Sequence, residues 1–306
     1  MPTFKLTIAY DGTPYHGWQL QVCGRPTIQG QLERALVKFT ERRIAITGAS
    51  RTDAGVHALG QVAHVTIPQW RAGSRALLRA LNSRLPEDIV VLECVPVREG
   101  FHAINACLSK RYRYQLQCGG SRHPFGQRYH WYMPRKLNLT AMREAAKHVL
   151  GRQDFACFQA AGGGRLSTVR HVSDLVVAQH DAVSGQGSRL GPLAAQPVER
   201  AERSADRDHQ EPAQWLSIEI EADGFLYNMV RNIVGSLVLI GRGDRDPAWL
   251  QEVLASRDRT RAGQTAPARG LFLLHVNYAA DWIIEEPLDE TVLDVQLGAD
   301  RERQGG

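Results

Sequence analysis

An arginine and an aspartate two residues apart, Arg51 and Asp53, lie in the stretch ITGASRTDAGVHALGQVAH at 46–64. A nearby guanidinium favours the ionised form of a carboxylate, the form that serves as a nucleophile or a base. Taken alone, T-D-A-G is ordinary turn chemistry, since Asp and Gly are common in tight connections. The density of the stretch turns the reading towards a site: Ser50, Arg51, Thr52, Asp53, Gly55, His57, Gly60 and Gln61 crowd between two apolar runs. A loop held by strands combines a rigid scaffold with side chains free to meet a ligand.

A second constellation is Lys110, Arg111, Tyr112, Arg113 and Tyr114, in which cation and ring alternate. On a strand, Tyr112 and Tyr114 share one face. They either stack on an RNA base or pack in a core with their hydroxyls bonded. Other chemistries fail on spacing. The run Gly162, Gly163, Gly164, Arg165 is not a phosphate-binding loop and opens no helix. His57 and His64 lack metalloprotease spacing, so no metal site is expected, and no Ser-His-Asp order stands out. The five cysteines, Cys23, Cys94, Cys107, Cys118 and Cys157, are odd in number and show no C-x-x-C spacing, which indicates neither a disulfide framework nor a zinc ribbon.

The chain has 306 residues, 43% of them hydrophobic, enough for two domain-sized units with a substantial core. Its beginning has no charged leader followed by an apolar run, and no stretch approaches membrane-spanning length. A soluble protein in a reducing cytoplasm is expected. The formal charge of +5 hides an asymmetry: residues 281–306 carry −6, which leaves about +11 on the body. Such a body suits a polyanionic partner, although many basic proteins touch no nucleic acid.

Elements must hold the Asp53 loop. Period-two alternation predicts a strand through Phe4, Leu6, Ile8 and Tyr10. Helical spacing of Ile28, Leu32, Leu36 and Phe39 predicts a helix capped by Thr27. Strands at 44–47 and 61–67 flank the loop, followed by a helix at 74–81 and a strand at 89–97. The order is βαββαβ. The second half repeats it with strands at 111–117, 172–178, 215–221 and 271–278 and helices at 140–150, 228–240 and 247–254. The expected fold is α+β, two tandem ferredoxin-like βαββαβ units with antiparallel sheets and a ligand cleft between them. The units cover 1–105 and 106–280. An insertion at about 180–213 lacks apolar periodicity and is rich in Gly, Ser, Pro, Ala and mixed charge, which predicts disorder; so does the acidic tail at 281–306, where Trp282, Ile283 and Ile284 could dock.

The 46–64 stretch resembles the G-R-T-D-A-G-V-H-A signature of the tRNA pseudouridine synthase A (TruA) family. Tyr10, Asp11 and Gly12 with YHGWQ at 15–19, GFHA at 100–103, KRYRY at 110–114 and FLYNMVRNIVGSL at 225–237 resemble its other blocks, in its order. The resemblance implies cofactor-free isomerisation of uridine to pseudouridine at nucleotides 38 to 40, in the anticodon arm of tRNA, by a homodimer. It makes Asp53 the catalytic aspartate, attacking C1′ or taking a proton from C2′. Arg51 would fill the space of the flipped nucleotide, Tyr112 would stack on the freed uracil, and Arg231 would pair with Asp53. Tyr112, Arg51, His57, Lys110 and Arg111 are the expected substrate contacts. The chain departs from the family pattern at Ser50, usually Gly, at Ile104, usually Arg, and in its insertion. A tRNA-binding or tRNA-folding protein of the same fold with little activity is the alternative, and a nucleoside hydrolase using Asp53 is a third reading.

Overall fold

The computed structural model describes residues 1–21, 24–122, 124, 126–162, 167–180 and 212–284. The expected insertion and acidic tail therefore lie largely outside the described residues, as do Cys23, Gly163, Gly164 and Arg165.

The first part of the chain runs β1 (Thr3–Tyr10), α1 (Ile28–Thr40), β2 (Thr47–Gly48), β3 (His57–Thr66), α2 (Gly73–Asn82) and β4 (Ile89–Val97). Strict alternation buries Phe4, Leu6, Ile8 and Tyr10 along β1, which pairs antiparallel with β3 on one side and β4 on the other. Thr27 caps α1 by accepting a hydrogen bond from Gly30 N at 3.2 Å, and Ile28, Leu32 and Leu36 are buried on the face below. The strand expected at 44–47 is reduced to Thr47–Gly48. Its approach is tied to α1 instead of to a neighbouring strand, because Ile46 N donates to Glu33 Oε1 at 3.1 Å.

The second part runs β5 (Cys107–Cys118), β6 (Trp131–Met133), α3 (Leu139–Ala146), β7 (Gly151–Asp154), β8 (Val169–His180), β9 (Gln214–Ala222), α4 (Met229–Gly241), α5 (Trp249–Ser256) and β10 (Leu271–Tyr278). Helix α4 is buried over most of its circumference, including Ile233, Val234, Leu237 and Val238, so it forms the centre of this half's core. The short strands β6 and β7 carry too few residues to show a period in the sequence.

The expectation of two antiparallel sheets is corrected by the topology. Among the described residues a single sheet of ten strands runs β4-β1-β3-β10-β5-β9-β8-β7, with β2 on β3 and β6 on β5. The halves join where β10, antiparallel to β5, lies parallel to β3 through the pairs Phe272 with His57 and Leu273 with Ala58. The physical reason is the brevity of β2. It covers only Ala63 and His64 of β3, and the backbone groups nearer the start of β3 need another partner. Gly60 permits the approach, since a Cβ there would stand 2.4 Å from Leu274 O.

The start of the expected tail also packs. Arg98 N donates to Trp282 O at 3.0 Å, Ile284 N to Pro96 O at 3.0 Å, and Trp282 sits edge-on to Phe101. Among the described residues no helix is long and apolar enough to cross a membrane.

Candidate active site

The loop at 49–56 leaves β2 and enters β3, and hydrogen bonds fix it on both sides of Asp53. Ala49 N donates to Val62 O at 2.7 Å, and Ala49 O accepts from Lys110 Nζ at 2.6 Å. The Gln61 amide grips Ser50 twice, accepting from Ser50 N at 3.2 Å and donating to Ser50 O at 2.7 Å. Thr52 is buried. Its carbonyl accepts from Trp18 N at 3.0 Å, and its hydroxyl shares a hydrogen bond with Tyr10 OH at 2.8 Å. After Asp53 the chain turns at once, with Val56 N donating to Asp53 O at 3.1 Å. Side-chain rotation is therefore the main freedom left to Asp53.

Arg231, in the first turn of α4, meets that carboxylate across the seam between the halves: its Nη1 is 3.0 Å from Asp53 Oδ2. The same Nη1 donates to Asn228 Oδ1 at 2.8 Å and Nε donates to Ala266 O at 2.7 Å, so the guanidinium is held on three acceptors. Asp53 keeps 23% of its side-chain surface exposed, which leaves a ligand access to it. Burial raises its pKa above the ordinary carboxylate value, and the charge and hydrogen bond of Arg231 oppose that rise without cancelling it. The carboxylate is thus ionisable yet poorly solvated, a condition that favours nucleophilic or basic behaviour.

Tyr112 lies beside the loop, its hydroxyl sharing a hydrogen bond with Ser50 Oγ at 2.8 Å and its ring edge-on to Phe225 at 5.1 Å. Burial raises the phenol's pKa well above its ordinary value; the Ser50 bond opposes this and the charge of Asp53 adds to it. Tyr114 is fully buried with its hydroxyl on Pro267 O at 2.7 Å, a core residue. Of the two tyrosines, Tyr112 is therefore the one at the loop.

The remaining expected site residues separate. Arg51 is exposed, and the cation that contacts Asp53 is Arg231, because buried Thr52 intervenes and turns the neighbouring side chains apart. His57 is buried on Phe272, with Nε2 donating to Arg128 O at 3.0 Å and Nδ1 3.0 Å from Asp11 Oδ1, so it anchors the loop's end to the β10 strand and the 128–129 segment. Lys110 is buried against Ala49 O. Arg111 is on the opposite face of β5 from Tyr112, bonded to Glu219 at 2.7 Å, Asp174 at 2.8 Å and Glu221 at 3.1 Å. Among the described residues, no three His, Cys, Asp or Glu side chains converge as a metal site requires.

Four contributors lie in stretches singled out in the sequence but were given no role there: Tyr10, Thr52, Phe225 and Asn228. Asn228 left a signal in its spacing, since it precedes Arg231 by three residues, the separation of a helix cap from the third residue of the helix.

The profile of the tRNA pseudouridine synthase family matches residues 6–104 and 145–279. The chain is similar to tRNA pseudouridine synthase A of Thermoanaerobacter sp. (strain X514), with 37% identity over 91% of this chain and 100% of that protein. It is also similar to the proteins of that name from Myxococcus xanthus, 39% identical over 91% of this chain and 92% of the other, and Moorella thermoacetica, 39% identical over 91% and 100%.

Proposed function

The chain belongs to the tRNA pseudouridine synthase family, and from that premise we propose that Asp53 carries its isomerase chemistry, conversion of uridine to pseudouridine at nucleotides 38 to 40 of the tRNA anticodon arm. The observation that carries this reading is the partly exposed carboxylate of Asp53, contacted by Arg231 from the other half of the chain and bordered by Tyr112.

The reaction must break N1–C1′, turn the uracil while it is held, and join C5 to C1′. The proton on C5 leaves and N1 gains one, so no redox partner is needed. Asp53 either attacks C1′ or removes the C2′ proton. In both routes Arg231 steadies one carboxylate oxygen, Oδ2, and leaves the other for the substrate. A uridine stacked in the anticodon stem cannot reach this carboxylate, so it flips out, and exposed Arg51 takes the space it vacates. Tyr112, with Phe225 at its edge, forms the platform for the freed base. His57 and Lys110 hold the loop, and Arg111 acts within the sheet, not on RNA.

The strand orders β4-β1-β3-β2 and β10-β5-β9-β8 support a finer reading of the fold as two ferredoxin-like units fused edge to edge. The enzyme acts in the cytoplasm, which suits the free thiols of Cys94, Cys107, Cys118 and Cys157, and as a homodimer whose paired surfaces span a folded tRNA.

The test is one tRNA transcript assayed for pseudouridine, for free uracil and for binding, with wild type, Asp53→Ala and Asp53→Asn. Wild type should form pseudouridine, and both variants should lose turnover while binding tRNA within about three-fold of wild type, since the carboxylate acts in the transition state. Turnover by either variant would remove Asp53 from the chemistry. Release of free uracil would point to a hydrolase, and binding without product by wild type to the inactive RNA-binding alternative.

A further inference from the structure

We propose that Arg259, remote from substrate, is a positioning residue for catalysis: it clamps the segment at 262–267 onto α4 so that Ala266 O aims Arg231 at Asp53. The proposal rests on the role given above to Asp53.

Arg231 and Ala266 are bonded in both directions, Arg231 Nε to Ala266 O at 2.7 Å and Ala266 N to Arg231 O at 3.1 Å. The orientation of the guanidinium therefore depends on where the 262–267 segment lies. That segment is an irregular connection between the turn at Arg259–Arg261 and the one at Ala268–Gly270, with no ladder of its own to hold it. Arg259 supplies what the backbone lacks. Its Nη2 donates to Asn232 Oδ1 at 2.9 Å and to Thr265 Oγ1 at 3.1 Å, and its Nη1 donates to Gly263 O at 3.0 Å. One planar fork thus spans the segment and the helix, which a lysine's single ammonium cannot reproduce.

The helix side is built to receive it. Asn232 and Ser236 are fully buried one turn apart on α4. Asn232 Oδ1 also accepts from Thr265 Oγ1 at 2.7 Å, its Nδ2 donates to Phe158 O at 2.7 Å, and Ser236 Oγ accepts from Gly263 N at 2.9 Å. Gly235 lies between them, and a Cβ there would come within 1.7 Å of Gln264 O, so the segment lies directly on the helix backbone. Among the described residues Arg259 makes no ion pair; its guanidinium is spent on neutral acceptors that connect the segment to Arg231. Arg231 is one residue before Asn232, so a displacement of this junction is passed straight to the guanidinium that contacts Asp53.

The charged and titratable groups facing Asp53 are Arg231 from α4 and Tyr112 from β5, while Arg51 in its own loop points to solvent. Of these only Arg231 pulls the carboxylate towards ionisation. A misaimed Arg231 therefore weakens a reacting group whose value depends on small distances.

The test compares full-length wild type with Arg259→Lys, Arg231→Ala and the double variant, using tRNA and reading kcat, KM, melting temperature and the pH dependence of kcat/KM. Arg259→Lys should lower kcat about ten-fold with KM changed less than about two-fold, and should move the acid limb of the profile to higher pH. In the Arg231→Ala background the lysine substitution should leave the limb where Arg231→Ala puts it. An Arg259→Lys enzyme with wild-type kcat and limb would overturn the proposal. So would a kcat that falls only with the folded fraction while the limb stays fixed, which is what a purely structural clamp does. Asp53→Asn run in parallel separates the premises: if it retains turnover, the assignment of Asp53 fails, whereas an inert Asp53→Asn with a normal Arg259→Lys refutes the clamp alone.

Discussion

Asp53 is a carboxylate caught between two opposed influences, loss of water and the guanidinium of Arg231, of which loss of water is the larger. Two outcomes follow from its raised pKa. If the reacting form is ionised, the acid limb of kcat/KM lies at higher pH than the titration of an ordinary, solvated aspartate. A folded-state pKa above the unfolded one also means that the native protein holds this proton more tightly. The stability associated with protonated Asp53 is then complete below the unfolded value and is lost as pH rises through the folded one. Thermal melts of wild type and Asp53→Asn across that window should show the asparagine variant gaining relative stability as pH rises; a constant difference would mean that Arg231 fully offsets the loss of water at the carboxylate. The sequence disclosed the loop because polar and glycine residues are dense around Asp53. Local spacing could not disclose the pair, since Arg231 stands 178 positions away; it was the family resemblance that set Arg231 against Asp53. Arg111 teaches the reverse lesson. Period-two alternation that puts Tyr112 on the inner face necessarily puts Arg111 on the outer one, so its exclusion from the pocket was present in the pattern.

At the scale of elements, long periodic segments were legible and short ones were not. The strands β4 and β10 match the expected 89–97 and 271–278 residue for residue, because both combine alternation with clear turn boundaries. The strands β6 and β7 have three and four residues and gave no period to read. The joining of the halves was also hidden, since strand pairing between distant segments depends on which edge is left bare. Gly60 is the place to test that junction. Gly60→Val puts a branched side chain against Leu274 O, in a position where even a Cβ is 2.4 Å away. It should destabilise the protein by about 2 kcal/mol or more, through strain at a tightly packed site. Because the turn at Ala268–Gly270 links β10 to the segment whose Ala266 O holds Arg231, the same variant should lower kcat beyond its effect on the folded fraction. Denaturant midpoints and activity measured on the same preparation check both effects, and a variant with wild-type stability would show that the seam is loose.

At the scale of the whole molecule, the positive body is matched to a polyanion. Affinity for tRNA should fall linearly with log salt, each phosphate contact contributing roughly 0.7–0.9 to the slope, and should differ little among tRNAs with unlike anticodon-stem sequences. Ile104 is 41% exposed, in the position where the family pattern has arginine, so Ile104→Arg should steepen the slope by about one unit if that surface meets RNA. A flat salt response of wild type would contradict the polyanion reading. The β3–β10 seam bears on the birth of the enzyme as well as its shape. During translation β10 emerges about 200 residues after β3, an interval of roughly 10 to 40 s at ordinary elongation rates. Throughout it, the leading half of β3 offers an uncapped strand edge to any neighbouring nascent chain. The guanidinium that serves Asp53 also lacks its carbonyl support until Ala266 has been made. On the proposed assignment of Asp53, a ribosome-bound chain is therefore chemically silent for almost its entire synthesis, until β10 has been made and meets β3.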